Sequence, residues 1–385
     1  KEVTTITISQ NSTGRSKVLT FDFCNHWEFS NNWEDLSAQG KVILPKNCYV
    51  VDETNNRFSL YGKNKFVQDI FKRGDKIKIE SYYIYWDDNL NQYATEVNTI
   101  VQGFITKIKA QMPIVLEFED NMFKLKQIPM KNQSFKPNTP IETILKDALQ
   151  GYPFTVNDIS ETKVKITNAL LTAENETVAQ FLAKLKKDMF FFPYFRGNEL
   201  RIGSLVYVEA DAKTKTFEFQ NNIISSNLEY NRKDDIVLSA VASNHVQEIV
   251  GQTKDGTPKT KNKRLEVLVT FRNGKDIPYT KIIKEHDKPD PNIDGERRTF
   301  TFLEATTTDQ LIKLATIQLK KYYYTGFKGK FTTFGTPFVQ FGDNCQIINP
   351  LLPEQNGTYK IKGVEYSGGV EGYRQTIQLD YRINI

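Results

Sequence analysis

This chain of 385 residues is poor in the residues on which catalysis and metal binding draw most. It has three cysteines, Cys24, Cys48 and Cys345, and three histidines. An odd number of widely spaced cysteines does not make a disulfide scaffold and fits buried thiols in a reducing cytoplasm. Cys24-Asn25-His26 with Cys48 is the only Cys/His grouping, and it lacks the Cys-x-x-Cys hook of a zinc site. His245 and His286 stand alone. With so few histidines and no Gly-x-Ser-x-Gly, an acyl-transfer triad has no anchor. No Gly-x-Gly-x-x-Gly occurs. Gly251 to Thr257 has the glycine spacing of a phosphate loop but not its lysine. No metal and no cofactor are therefore expected. No apolar run approaches membrane-spanning length, and no apolar signal segment opens the chain. Lys+Arg 51 against Asp+Glu 46 gives a net charge of only +5, too balanced for a dedicated nucleic-acid binder.

What is abundant is aromatic: 26 Phe and 18 Tyr, with 39% hydrophobic residues overall. That composition suits strand-rich structure with real cores. The length calls for two to four domains.

The clearest pattern lies near the C-terminus. Phe327 to Leu379 reads as runs of alternating apolar and polar residues, the period-two mark of half-buried strands. Gly335, Gly342, Gly357 and the Gly368-Gly369 pair fall between the runs, where turns need special dihedrals. An earlier segment has the same grammar. Phe71 to Gly74-Asp75 leads into Lys76 to Ile79, much as Val339 to Gly342-Asp343 leads into Asn344 to Ile347. Val101 to Ile108, with Gly103 third, then parallels Gly357 to Val364, with Tyr359 third. Between its halves the first copy has an excursion, Tyr82 to Thr99, rich in aromatics. This order of corner, strand and return strand points to an internal duplication. Two unrelated meanders would share some of it, so strand order is what decides.

The rest of the chain divides around these copies. Phe29 to Ala38 reads as a helical turn within a loop. Thr139, Pro140 and Glu142 form a capping box for a helix with Ile141, Ile144, Leu145, Ala148 and Leu149 on its apolar face. Thr177 and Gln180 box a second helix, whose face runs from Val178 to Met189, and Thr307 with Gln310 a third. Gly251 to Lys263 reads as a polar, basic hairpin loop, without the interleaved aromatics of a single-strand binder. The acidic groups Glu117, Glu119 and Asp120, Asp87-Asp88 and Asp234-Asp235 are candidates for a glycosidase pair only if two face each other across a cleft.

The expected fold is mainly β with α+β parts: two similar small antiparallel β-barrels, a small α+β domain and an inserted subdomain. The expected domains are 1–130 for the first barrel, 131–212 for the α+β domain, 213–245 with 325–385 for the second barrel, and 246–324 for the insertion. Residues Gly74, Asp75, Gly103, Gly342, Asp343, Gly357 and Tyr359 are expected to set barrel geometry.

The order of motifs resembles the phage late control D family, the baseplate hub proteins of contractile tails. The resemblance rests on the helix Thr307 to Tyr324, Gly326, Gly335-Thr-Pro337, Gly342-Asp343, Gly357-Thr-Tyr359 and Gly368-Gly369 with Gly372-Tyr373. Trp33 to Leu36 before Val42 to Pro45, and Phe71 to Asp75 before Gly103 to Ile105, look like that family's first domain. Thr177 to Met189 with Phe195 to Ile202 looks like its middle domain. The charged stretch Lys284 to Arg298 departs from the pattern. The resemblance implies a non-enzymatic structural protein of a virion tail, made in the host cytoplasm. Its partners would be itself as a homotrimer, a tail tube protein, a spike or tail-tip protein, baseplate wedge proteins, and DNA or a tape measure passing through the lumen. It also implies that any puncturing tip is a separate chain. Rival readings are a tail-associated cell-wall hydrolase and a carbohydrate-binding adhesin using Tyr82 to Tyr85 and Trp86.

Overall fold

The computed structural model describes residues 2–9, 16–20, 26–45, 49–51, 54, 56–59, 70–109, 111–136, 138–160, 163–166, 170–171, 175–188, 191–203, 212–252, 258–284, 295–302, 305–369 and 372–383. Cys24, Cys48, Met189, Gly256 and His286 lie outside the described residues, as does most of the charged stretch before Arg298.

The chain is mainly β. Its first part holds β1 (Glu2–Ser9), β2 (Ser16–Thr20), β3 (His26–Asn32), β4 (Gln39–Leu44), β5 (Tyr49–Val51), β6 (Arg57–Ser59), β7 (Lys76–Asp87), β8 (Gln92–Lys109) and β9 (Ile114–Glu119). Next comes an α+β part with β10 (Ser134–Phe135), β11 (Thr155–Asp158), β12 (Leu170–Leu171), β13 (Phe192–Arg196) and β14 (Glu199–Gly203) around helices Ile141–Ala148 and Val178–Asp188. Then follow β15 (Thr214–Glu218) and β16 (Ile223–Asn231). A four-stranded sheet is built of β17 (Leu238–Gln252), β18 (Pro258–Phe271), β19 (Tyr279–Ile282) and β20 (Glu296–Thr301), with helix Thr308–Lys320 packed on β17 and β18. The chain ends in β21 (Gly326–Phe334), β22 (Asn344–Ile348), β23 (Gly357–Gly368) and β24 (Arg374–Ile383).

The strand orders of the two copies match. The first runs β3-β4-β9-β8-β7-β1 and the second β16-β21-β24-β23-β22-β15. The registers match as well. Ile77 faces Gly103 in β8, and Cys345 faces Tyr359 in β23. Ile105 faces Phe118, the ladder skips a residue, and Lys107 then faces Glu117. Ile361 faces Leu379, the ladder skips again, and Gly363 faces Gln378. A bulge at one place in a ladder is a local device, and two at the same place argue for one ancestral unit. One feature differs. The last strand is antiparallel in the first copy (β1 on β7) and parallel in the second (β15 on β22).

The expectation of two closed barrels is corrected. The strands of both copies belong to one open sheet, with β22 and β15 branching from its path at β23. The cause lies in β23, which is longer than its partner β22. Past Ile361 its free edge is taken by β3, with Gly363 opposite Asn32 through to Gly368 opposite Trp27. One apolar cluster accordingly draws on both copies, from Ile6, Phe29 and Phe118 to Phe331, Tyr366 and Leu379. Two further clusters fill the α+β part and the four-stranded sheet with its helix.

Local details correct other expectations. His26–Asn32 is a strand, with Trp27 and Phe29 buried, and only residues 33–37 turn. Thr139 does not cap its helix. Its hydroxyl donates to the Lys136 carbonyl at 2.7 Å, the N-cap is Pro140, and Glu142 pairs with Lys146 at 2.6 Å and Lys163 at 2.5 Å. The box at Thr177 forms, with the Thr177 amide donating to Gln180 Oε1 at 2.8 Å. At the third helix the Gln310 amide donates to Thr307 Oγ1 at 3.2 Å, while Gln310 Oε1 accepts from the Thr306 amide at 2.7 Å. The basic segment is more strand than loop: Pro258 to Lys263 pairs with Gln252 to Val246. Its side chains from Lys261 to Arg264 are exposed, so neither strand face there carries an apolar signal.

Candidate assembly surface

The two Gly-Asp corners have the same internal wiring. Gly74 and Gly342 have φ of 89° and 88°, a conformation that glycine adopts without steric cost. Asp75 Oδ2 accepts from the Lys72 amide at 2.8 Å, and Asp343 Oδ2 from the Gln340 amide at 3.0 Å. Each corner is bonded to the return strand. The Gly74 amide donates to the Ile105 carbonyl at 2.8 Å and Ile105 to Asp75 at 2.9 Å. Gly342 donates to Ile361 at 3.3 Å and Ile361 to Asp343 at 3.0 Å. Both aspartates are buried, and their lone pairs replace water for turn amides that the ladder leaves over.

Gly103 and Tyr359 occupy equivalent places inside β8 and β23 but do opposite things. A Cβ on Gly103 would overlap the carbonyl oxygen of Glu119, so the backbone leaving β9 lies directly on it. Tyr359 is fully buried, and its hydroxyl accepts from the Phe327 amide at 2.8 Å. Gly357 and Gly326 make room for that hydroxyl, each too close to it to carry a side chain without displacement.

The α+β part is pinned to both copies through the tip of the β13–β14 hairpin. Asn121 Nδ2, at the end of the first copy, donates to the Gly197 carbonyl at 2.7 Å. Arg196 donates to the Phe341 carbonyl at 2.8 Å and pairs with Asp343 Oδ1 at 3.3 Å. Gln340 Nε2 reaches across to the Thr99 carbonyl at 3.4 Å. Lys186 of the second helix donates to the carbonyls of Trp33 and Asp35, the latter at 2.7 Å, and burial pushes its ammonium down to about 8. Under this hairpin tip lies a cavity of about 280 Å³, lined by residues of both copies and by Asp120. Asp120 is buried, accepting from the Met122 amide at 3.0 Å and the Ala38 amide at 3.4 Å. Desolvation pushes its carboxyl up to about 7.

The remaining acids are engaged locally. Glu117 pairs with Lys109, and Glu119 pairs with Lys126 at 2.7 Å. Asp87 caps its own turn, accepting from the Asn89 amide at 2.9 Å. Lys233 beside Asp276 holds that carboxyl below the usual range. Among the described residues, no group of three or more His, Cys, Asp or Glu side chains could hold a metal ion. Cys345 is a buried thiol whose burial raises its pKa. His26 lies 3.3 Å from Glu28.

Two exposed features remain. The β7–β8 hairpin projects as an aromatic tip, with Trp86 against Tyr93 at 5.2 Å and Tyr93 73% exposed. Among the described residues, strand β16 pairs on one side only, with β21, and more than half of it is exposed. Sequence reasoning missed β16, Arg196 and the β3 seam. The alternation of Trp27 and Phe29 was the signal for β3. Arg196 carried none, because its partners lie 145 and 147 residues away.

Fold and surface together define a duplicated, mainly β protein whose matched features are corners and strand edges. No family model matches the sequence, and no curated protein matches it. Solved structures do match. The tail protein from Neisseria meningitidis MC58 is similar with a TM-score of 0.55 at 12% identity, over 98% of this chain and 96% of that one. The prophage MuSo2 43 kDa tail protein from Shewanella oneidensis gives 0.56 at 10% identity, over 99% and 98%. At such identities the likeness is one of fold: this chain folds, from end to end, as those two tail proteins do.

Proposed function

We propose that the chain is a structural baseplate hub protein of a phage tail or a related contractile injection machine. Three copies form a pseudo-sixfold ring that joins a sixfold tail tube to a threefold spike. The observation that carries this reading is the duplication: one strand order, one bulge position and one corner wiring, each used twice. Two like units per chain give six near-equivalent units per trimer, and heterologous contacts between them must close in a ring. The fold shared with two tail proteins supports the setting. On this reading residues 1–130 and 213–245 with 325–385 are the ring-forming units, while 131–212 and 246–324 face wedge proteins, tube or spike. The lumen would pass DNA or a tape measure.

The role is non-enzymatic in this reading, since Glu117 and Glu119 are held by lysines and Asp120 is sealed in the fold. Light scattering and electron microscopy test it. A particle with the mass of three chains and six lobes around a hole is expected, alone or with co-expressed tube and spike proteins. A monomer under both conditions would overturn it. The carbohydrate-binding reading is favoured by one observation, the exposed aromatic tip at Trp86 and Tyr93. Binding on a glycan array that is lost with Trp86→Ala would support it.

A further inference from the structure

The seam inside the chain is a template for a seam between chains. Within the molecule, the outer strand of the first copy, β3, pairs antiparallel with β23 just past the corner contact at Ile361. The Trp33 amide extends that pairing to the Lys362 carbonyl at 3.0 Å. The ladders fix what corresponds to each partner in the other copy. Lys41 faces Glu28 in β3 and Glu117 in β9, as Lys330 faces Asn227 in β16 and Gln378 in β24. So β16 is the counterpart of β3, with Asn227 in the place of Glu28. Lys107 faces Glu117 past the bulge of β8, as Gly363 faces Gln378 past the bulge of β23. So β8 from Lys107 onward is the counterpart of the stretch that receives β3.

Among the described residues, neither counterpart has a partner strand at that edge within the chain: β16 is bonded to β21 alone, and β8 past Ile105 to β9 alone. We propose that β16 of one molecule adds to the free edge of β8 in the next, antiparallel and in the register of the internal seam. This rests on the ring reading for the number of copies, while the pairing itself comes from the internal template. The transferred register sets Asn231 opposite Lys107, Tyr230 opposite Ile108 and Glu229 opposite Lys109 of the neighbour. The charges complement: the receiving edge carries Lys107 and Lys109, the latter also paired with Glu117, and the incoming strand carries exposed Glu229. A cross-strand pair of opposite charge favours that register over slipped ones. The contact is heterologous, so it builds a ring where the rotation closes and a filament where it does not. It would also cover the Glu229–Asn231 end of a free strand edge that otherwise invites aggregation.

The test is a disulfide across the seam in the full chain. Facing residues of an antiparallel pair lie within bridging distance. The double variant Glu229→Cys with Lys109→Cys should form intermolecular disulfide-linked species in oxidising buffer, ending at three chains. Either single variant should not, nor should a control pair placed on the neighbouring strand β7, Glu229→Cys with Lys78→Cys. Separately, Glu229→Lys should weaken self-association about tenfold, and adding Lys109→Glu should restore it. Both residues are surface residues, so circular dichroism should be unchanged. A three-chain particle whose in-register pair does not cross-link would overturn the seam and leave the ring reading standing. Cross-linked chains that grow past three without closing would support the seam and overturn the ring reading. Absence of any linked species at high concentration would also overturn the seam.

Discussion

The two copies of the β unit share their ladders and differ in how the chain leaves them. In the first, β9 stops at Glu119, and the backbone turns over Gly103 into Asp120 and the α+β part. In the second, β24 runs on to Ile383, and Tyr359 fills the equivalent spot. A glycine and the largest fully buried side chain thus stand at one structural position. The common frame is set by corner, bulge and strand order. The residue at this position records whether backbone or side chain fills the space above the sheet. The corners tell a similar story. They are wired alike inside, but only Asp343 also receives Arg196 from the α+β part.

The sharpest way to break the comparison is to erase that difference. Tyr359→Ala should cost about 4 kcal/mol, from the cavity left and the stranded Phe327 amide. Gly103→Ala should cost about 3 kcal/mol despite adding one carbon, because the overlapped atoms are backbone. Urea unfolding of the two variants measures both. If Gly103→Ala were neutral, the equivalence drawn here would be wrong.

Asp120 marks the exit from the first copy and has no counterpart in the second, where the chain continues as strand. Its carboxyl is raised from an ordinary 3.8 to about 7 by burial. A raised folded-state value means that the folded protein holds a proton the unfolded chain releases. Stability from this group is fully present below about pH 4 and is lost as pH rises through about 7. The loss between those limits amounts to at most about 4 kcal/mol. Asp120→Asn should flatten unfolding free energy over that interval, relative to wild type, in denaturant titrations at several pH values.

The corners should show a smaller contrast. Asp75→Ala removes one turn acceptor and should cost about 1–2 kcal/mol. Asp343→Ala also takes the carboxylate from Arg196, whose largely buried guanidinium keeps the Phe341 carbonyl, and should cost about 1 kcal/mol more. Arg196→Ala should then cost less in the Asp343→Ala background than in wild type, the bond to the Phe341 carbonyl being lost in both, as a double-mutant cycle would show.

How much of this could be read from the sequence follows from what each feature needs. The corners and return strands were legible, because Gly-Asp followed by alternation is local chemistry. The register of Gly103 with Tyr359 was legible for the same reason. The helices at Thr177 and Thr307 announced themselves by their boxes. At Thr139 the same signal misled, since Glu142 found two lysines, one of them 21 residues on. Barrel closure was misread because pairing of β3 with β23 joins residues more than 300 apart. Nothing in either segment says which edge its backbone will meet. Asp120 was seen among the acids, but its burial depends on Met122 and Ala38 closing over it.

The smallest expected effect concerns the longest difference between the copies. In the first, β7 and β8 continue past the last β1 pairing, at Tyr83, as a two-stranded arm to Asp87 and Gln92. In the second, β22 ends at Ile348 and a short turn leads to Gly357. The arm beyond Tyr83 leans little on the core: Tyr85, Trp86 and Tyr93 are all exposed. Trp86→Ser with Tyr93→Ser should therefore change unfolding free energy by no more than about 0.5–1 kcal/mol, the worth of one exposed aromatic pair. If it also leaves self-association unchanged, the arm is free in the assembly and available to another protein. A loss of self-association would instead place the arm between copies and tie this unmatched feature of the first unit to the ring itself.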